Sequence, residues 1–289
     1  MRTRHRYALL AAFATLFSLQ LFTQRSLAQS AIPDYHVYDA EDINGNPLIL
    51  CAAQDQTGTL YFGTSRGVLQ FDGSSWSLHP TPTSVKALAV LEIGRILVGG
   101  AADFGILQPS KSGNRMEYKS YRNSLKQGDR DIFRVEKIFT SGKTGYYFAA
   151  NRLVRANFEG REPQMKLFGI ADGAGAMMID GRVYVNTYDK GLQQIQNNKV
   201  VAAPSGEALI NQYIAGAARA GNRHLIFTEA GKVYSYSGGA IDEIDTELPA
   251  GLNILSVAKL SDGNIAVATF NNGTYLMDEN GDVELALNR

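Results

Sequence analysis

The sequence predicts an all-β fold: a β-propeller of four-stranded blades, each roughly 40 residues long. Six units are visible, to be closed as six blades or to stand as an incomplete seven-bladed ring. Three observations predict it. Short strand-forming runs are separated by turns rich in Gly, Asp and Asn. Those turns return at a near-constant interval. The 3.6-residue apolar period of helices is absent beyond the N-terminal stretch. A composition of 45% hydrophobic residues, with 29 Gly and 8 Pro in 289, suits a turn-rich globular chain rather than a disordered one.

Taken in order, residues 1–28 are expected to be a signal peptide. Arg2, Arg4 and Arg6 form a basic start, residues 8–22 an apolar core, and Ser26-Leu27-Ala28 a small-residue site with cleavage after Ala28. The apolar core is shorter than the ~20 residues of a spanning helix. The chain is therefore expected to be periplasmic or exported, touching a membrane only through an uncleaved signal or through segments beyond this sequence. Residues 32–47 hold a strand around Tyr35–Tyr38 with no adjacent hairpin partner, followed by an acidic Asn/Gly loop. That strand is expected to close the ring by pairing elsewhere.

Blades are expected at about 48–80, 84–122, 131–169, 174–205, 212–248 and 253–289. The first is the clearest: LILCAAQDQTGTLYFGTSRGVLQFDGSSW, residues 48–76, alternates strand runs with Gly turns. Its run at 61–67 (YFGTSRG) aligns with runs at 97–105, 147–152, 184–191, 226–231 and 266–273. Closing glycines fall at 67, 105, 191, 231 and 273, spaced 38, 86, 40 and 42 residues apart. The double interval contains one unit in which Asn151-Arg152 replaces the glycine. A sheet of four strands buries both faces only by stacking on its neighbours, which favours a ring.

The first unit is similar to the two-component regulator propeller repeat. The matching residues are Gln54-Asp55, Gly58, Leu60, Phe62-Gly63-Thr64, Gly67-Val68-Leu69 and Phe71-Asp72-Gly73, with Tyr61 in place of the usual Trp. The later units match in outline, so the resemblance weakens along residues 35–289. It implies a periplasmic sensor ectodomain of a regulator whose β-sandwich, transmembrane helix and output, a histidine kinase or DNA-binding part, lie outside this sequence. A fragment of such a protein is one expectation and a complete free-standing propeller the other.

Charge excludes some functions. Basic and acidic residues number 28 each, but Arg2, Arg4, Arg6 and Arg25 belong to the expected signal, leaving the mature part mildly acidic. No basic stripe remains to neutralise phosphates, so no nucleic-acid partner is expected. The single cysteine, Cys51, forms neither a disulfide nor, alone, a zinc site. His5, His36, His79 and His224 lack metal-ligand spacing, and Asp103-Phe104-Gly105 repeats a kinase triplet without its context. No catalytic set, metal or cofactor is expected, and the chain is read as non-enzymatic.

A binding face is easier to derive. In a propeller the turns between second and third strands gather around one end of the channel. The candidate ligand-binding residues there are Arg66, Asp103, Phe104, Arg152, Tyr188, Asp189, Lys190, Glu229 and Asn271. Charges, amides and aromatics in this mixture suit a carbohydrate or other polar ligand. The leading expectation is thus a non-catalytic sensor propeller. The alternatives are a periplasmic propeller enzyme of lyase or lactonase type and a free-standing interaction propeller, with a protein partner or a self-dimer.

Overall fold

The computed structural model of the protein describes Tyr38, Ile43, Gly45 and residues 48–287 apart from 93, 114, 132 and 133. The chain divides into two units, Met1–Ile43 and Asn44–Arg289. Only Tyr38 and Ile43 of the first are described, and Tyr38 is in no strand. The expected signal peptide and the remainder of the expected closing strand lie outside the described residues.

The described part of the second unit is a propeller of six blades, each an antiparallel sheet of four strands in sequence order. Blade 1 holds β1 (Ile49–Gln54), β2 (Leu60–Thr64), β3 (Gly67–Phe71) and β4 (Trp76–Pro80). Blade 2 holds β5 (Val85–Glu92), β6 (Arg95–Gly100), β7 (Phe104–Pro109) and β8 (Met116–Ser120). Blade 3 holds β9 (Val135–Ser141), β10 (Thr144–Ala149), β11 (Arg152–Asn157) and β12 (Gln164–Gly169). In blade 4 these are β13 (Gly173–Ile179), β14 (Arg182–Thr187), β15 (Gly191–Gln196) and β16 (Lys199–Ala202). In blade 5 they are β17 (Ile214–Ala220), β18 (Arg223–Thr228), β19 (Val233–Ser237) and β20 (Ala240–Ile244). Blade 6 is β21 (Ile254–Lys259), β22 (Ile265–Thr269), β23 (Thr274–Met277) and β24 (Val283–Leu287). Helical content among the described residues is limited to three short 3₁₀ turns.

The repeat in the sequence has a local cause. In blades 1, 5 and 6 the second strand ends in a buried threonine, and the hydroxyl of Thr64, Thr228 or Thr269 donates to the carbonyl of Gly67, Lys232 or Gly273 at 2.9, 3.2 and 2.8 Å. This side-chain bond closes the turn into the third strand, a use of Thr common in turns. The glycine that follows tolerates a backbone that other residues rarely adopt.

Alternation along each strand sends side chains to opposite sheet faces, so each blade can pack on two neighbours. In blade 2, Ile96, Val98 and Leu107 join Tyr61 and Val68 of blade 1, while Leu97, Phe104 and Ile106 join Tyr147 and Val154 of blade 3. Phe104 and Tyr147 meet edge to face at 5.0 Å, and the Tyr147 hydroxyl donates to Gly105 O at 2.8 Å. Such a pair adds ~0.5–1.5 kcal/mol to area burial.

Five core clusters serve the five sequential interfaces between blades. Among the described residues none of them joins blade 6 to blade 1. Val85, Val135, Ile214 and Ile254 open their inner strands opposite the last residue of the second strand, at 0–1% exposure. Ile49 holds the same register position in blade 1 and is 48% exposed. On the far face of blade 6, Ala266 and Ala268 lie with Leu276, Leu285 and Leu287, and none is buried. Among the described residues the packing is thus complete along the series of blades and weakest between blades 6 and 1.

Two histidines tie stability to pH. Burial lowers the pKa of His79, whose Nε2 shares a 2.9 Å hydrogen bond with Gln70 Oε1. Burial also lowers that of His224, with Asp180 opposing and Arg219 reinforcing the shift. Both folded values lie below the unfolded ~6.5, so the unfolded state takes up protons first as pH falls. Their contribution is present above that value and is lost on acidification. The melting temperature is expected to fall between about pH 7 and 5, and the double variant His79→Gln, His224→Gln to flatten that step. An unchanged profile in the double variant would show that other groups govern it.

Candidate functional site

All six inner strands carry a register shift near their first residues, between positions 49/51, 85/87, 173/176, 214/216 and 254/256, and opposite 148/149 in blade 3. The bulge leaves Leu50, Lys86, Glu136, Ala215 and Leu255 outside the regular ladder. A bulge of this kind re-aims a side chain. Here every one of these residues lines the central channel or its mouth.

The channel has a volume of about 600 Å³ and is lined by the inner strands of all six blades. Small residues such as Ala52, Ala87, Ala176 and Ala217 keep it open. Cys51 also lines it, and burial pushes the thiol pKa up to about 11, which leaves it a poor nucleophile at neutral pH. At the mouth a cavity of about 440 Å³ is bounded by Lys86, Arg134, Glu136, Lys137, Tyr213 and Glu229, with Ala215, Ile254 and Leu255 beside them.

Most of this charge is internally committed. Glu136 takes a 3.1 Å ion pair from Arg134 Nη2 and a 2.6 Å hydrogen bond from the Tyr213 hydroxyl. Burial, with the Glu136 carboxylate adding to it, raises the Tyr213 phenol well above its usual pKa, so it stays a donor. Lys137 Nζ reaches from blade 3 to blade 5 and donates to the carbonyls of Ile214 and Ala215 at 3.0 and 2.5 Å. Burial lowers its pKa to about 8, against the pull of Glu136. Lys86 makes no hydrogen bond or ion pair among the described residues, and neither does the Glu229 carboxylate.

A second cavity of about 400 Å³ adjoins the first, sharing Tyr213 and Glu229, and adds Tyr188, Asn211, Gln212 and Asn253. The backbone fixes these groups: Glu229 N donates to Tyr213 O at 2.8 Å, and Ile254 N to Glu229 O at 2.9 Å. Asn211 N donates to Tyr188 O at 3.0 Å. Buried Asn186 anchors the same loop by donating to Leu209 O and Gln212 O at 3.0 and 2.7 Å.

Of the nine residues expected from the sequence to form a binding face, Tyr188 and Glu229 line this cavity. Arg66, Asp189, Lys190 and Asn271 are exposed on turns of blades 1, 4 and 6, and Lys190 lies 3.9 Å from Asp189. Asp103 and Phe104 need correction. Phe104 is fully buried between blades 2 and 3, because β7 begins at that residue rather than after it. Asp103 turns inward to accept hydrogen bonds from Tyr118 and Ser120 at 3.0 and 2.6 Å. Arg152 Nη1 donates to Asp129 O at 2.8 Å, binding it to the preceding loop.

The group of Lys86, Arg134, Glu136, Lys137 and Tyr213, in or just before inner strands, was not expected from the sequence. Its signal is nonetheless there: a charged residue at the second position of VKALAVLE and a charged pair in RVEKIF interrupt otherwise apolar strands. Among the described residues, neither histidine lines these cavities, no cluster of metal-ligating side chains forms, and no helix is long and apolar enough to cross a membrane.

No family model matches the chain, and no curated relative does. Solved structures do. The extracellular domain of the hybrid two-component system BT4673 from B. thetaiotaomicron aligns with a TM-score of 0.61 at 20% identity, over 84% of this chain and 32% of that one. The corresponding domain of BT3049 aligns at 0.65 and 16% identity, over 88% and 36%. A virginiamycin B lyase from Staphylococcus aureus, in a form made catalytically inactive by replacing one histidine, aligns at 0.55 and 12%, over 81% and 88%. The chain thus spans about a third of the length of the two extracellular domains. At these identities the likeness establishes a shared propeller fold.

Proposed function

We propose that this chain is the ligand-reading propeller of an exported, non-catalytic sensor of the two-component type, and that it reads a glycan or similar polyhydroxylated ligand at the turn face. The observation that carries this is the pair of adjoining cavities. They place the exposed ring of Tyr188 near the Glu229 carboxylate and the amides of Asn211, Gln212 and Asn253. Amides and carboxylates offer the donors and acceptors that neighbouring hydroxyls require, and a tyrosine ring packs on the C–H face of a sugar. The fold shared with extracellular domains of two-component systems supports the sensing role.

Titration calorimetry of the purified chain against a panel of neutral and acidic oligosaccharides is expected to find a ligand. Tyr188→Ala and Glu229→Gln should each weaken it about tenfold, a loss of ~1.4 kcal/mol, at unchanged melting temperature. A ligand that binds both variants as tightly as the parent would move the site off this face. A panel without any binder would remove the glycan reading.

A further inference from the structure

We infer that the ligand of this face carries an anionic group, a carboxylate or a sulfate ester, seated at the channel mouth against Lys86 and Arg134, with its uncharged part extending over Tyr188. The inference rests on the sensor reading and adds the ligand's charge and orientation to it. Five bulge residues are aimed at the channel, and two of them are charged. Glu136 is already neutralised, with one carboxylate oxygen on Arg134 and the other on the Tyr213 hydroxyl. Lys137 is capped by two backbone carbonyls. That leaves Lys86 as a bulge-ring charge without a partner among the described residues, beside the largely exposed Arg134 side chain.

The opposite charge lies where the two cavities meet. Glu229 borders both and joins the mouth to the amide-lined cavity, where a carboxylate suits hydroxyl donors and repels an anion. An acidic residue therefore fits toward blades 2 and 3, and a neutral ring toward blades 4 and 5. Partial desolvation in a concave mouth strengthens such pairing relative to open surface, and exposure keeps it sensitive to salt.

The test is calorimetry of the full chain with three matched sets: uronate-bearing tetrasaccharides, their neutral methyl esters, and sulfated tetrasaccharides. Acidic members are expected to bind at least tenfold more tightly than the matched esters and to weaken as salt rises. Lys86→Ala should lower acidic affinity about tenfold, Lys86→Arg should restore most of it, and Tyr188→Ala should weaken acid and ester alike. The preferred set identifies carboxylate or sulfate as the natural group. Equal affinity for acid and ester, indifference to Lys86→Ala, or failure of every acidic member overturns the inference. Neutral esters that bind through Tyr188 as tightly as the acidic members would overturn it while leaving the sensor reading intact.

Discussion

Replacing Ile214 with alanine is expected to cost ~2–5 kcal/mol of unfolding free energy, and the same change at Ile49 less than about 1. The two residues hold one register position, each opening an inner strand opposite a threonine that ends the second strand, Thr228 or Thr64. Ile214 is fully buried in the cluster shared by blades 4 and 5, so truncation removes transfer free energy and leaves a cavity. Its room for relaxation is small, since the space a Cβ on Gly175 would occupy is already taken by Ile214. Ile49 is half exposed and belongs to no core cluster, so little is lost there. Denaturant titration of both variants gives the comparison. Equal costs would mean that the seam between blades 6 and 1 is packed in solution like the other interfaces.

This contrast marks what the sequence could tell. The propeller was legible because its signals are local: alternation, Gly turns, and the Phe-Gly-Thr run whose threonine closes a turn. The site was legible in part, for the same reason. Tyr188 and Glu229, which line the second cavity, sit in turns that the repeat aligns. Asp103 and Phe104 were misplaced because a one-residue difference in where a third strand begins sends a side chain inward. The channel mouth was missed because bulges on separate blades assemble it. Lys86, Glu136 and Tyr213 come together only when three blades stand around one axis, a long-range placement that a repeat length does not specify. The seam escaped detection because a strand's apolar face looks the same in sequence whether or not a neighbour covers it.

The largest effect that joins fold to site is expected at Gly191. It closes the second-to-third-strand turn of blade 4 with φ +69°, and a Cβ there would overlap the carbonyl oxygen of Gly206. Two costs combine in Gly191→Ala. The left-handed backbone disfavours any side chain by ~1 kcal/mol or more, and the overlap with backbone cannot be relieved by turning a rotamer. Gly206 opens the 3₁₀ turn Gly206–Leu209, held against β15 by Ala203 N donating to Leu192 O at 3.0 Å. The overlap must therefore push that turn outward, and with it the loop that ends in Asn211, Gln212 and Tyr213. Asn186 would lose its two carbonyl acceptors, Leu209 and Gln212, becoming a buried amide whose unmet donors cost ~1–3 kcal/mol. Tyr213 would withdraw from Glu136, leaving one carboxylate oxygen without its hydroxyl donor and reshaping the mouth. Gly191→Ala is thus expected to destabilise the chain by ~2–4 kcal/mol and to weaken ligand binding even at temperatures where the variant is folded. Gly142→Ala is the control: it too has positive φ, +55°, but a Cβ there meets nothing within 4 Å, so it should cost ~1 kcal/mol and leave binding alone. Equal binding by both folded variants would break the link drawn between the blade 4 turn and the channel mouth.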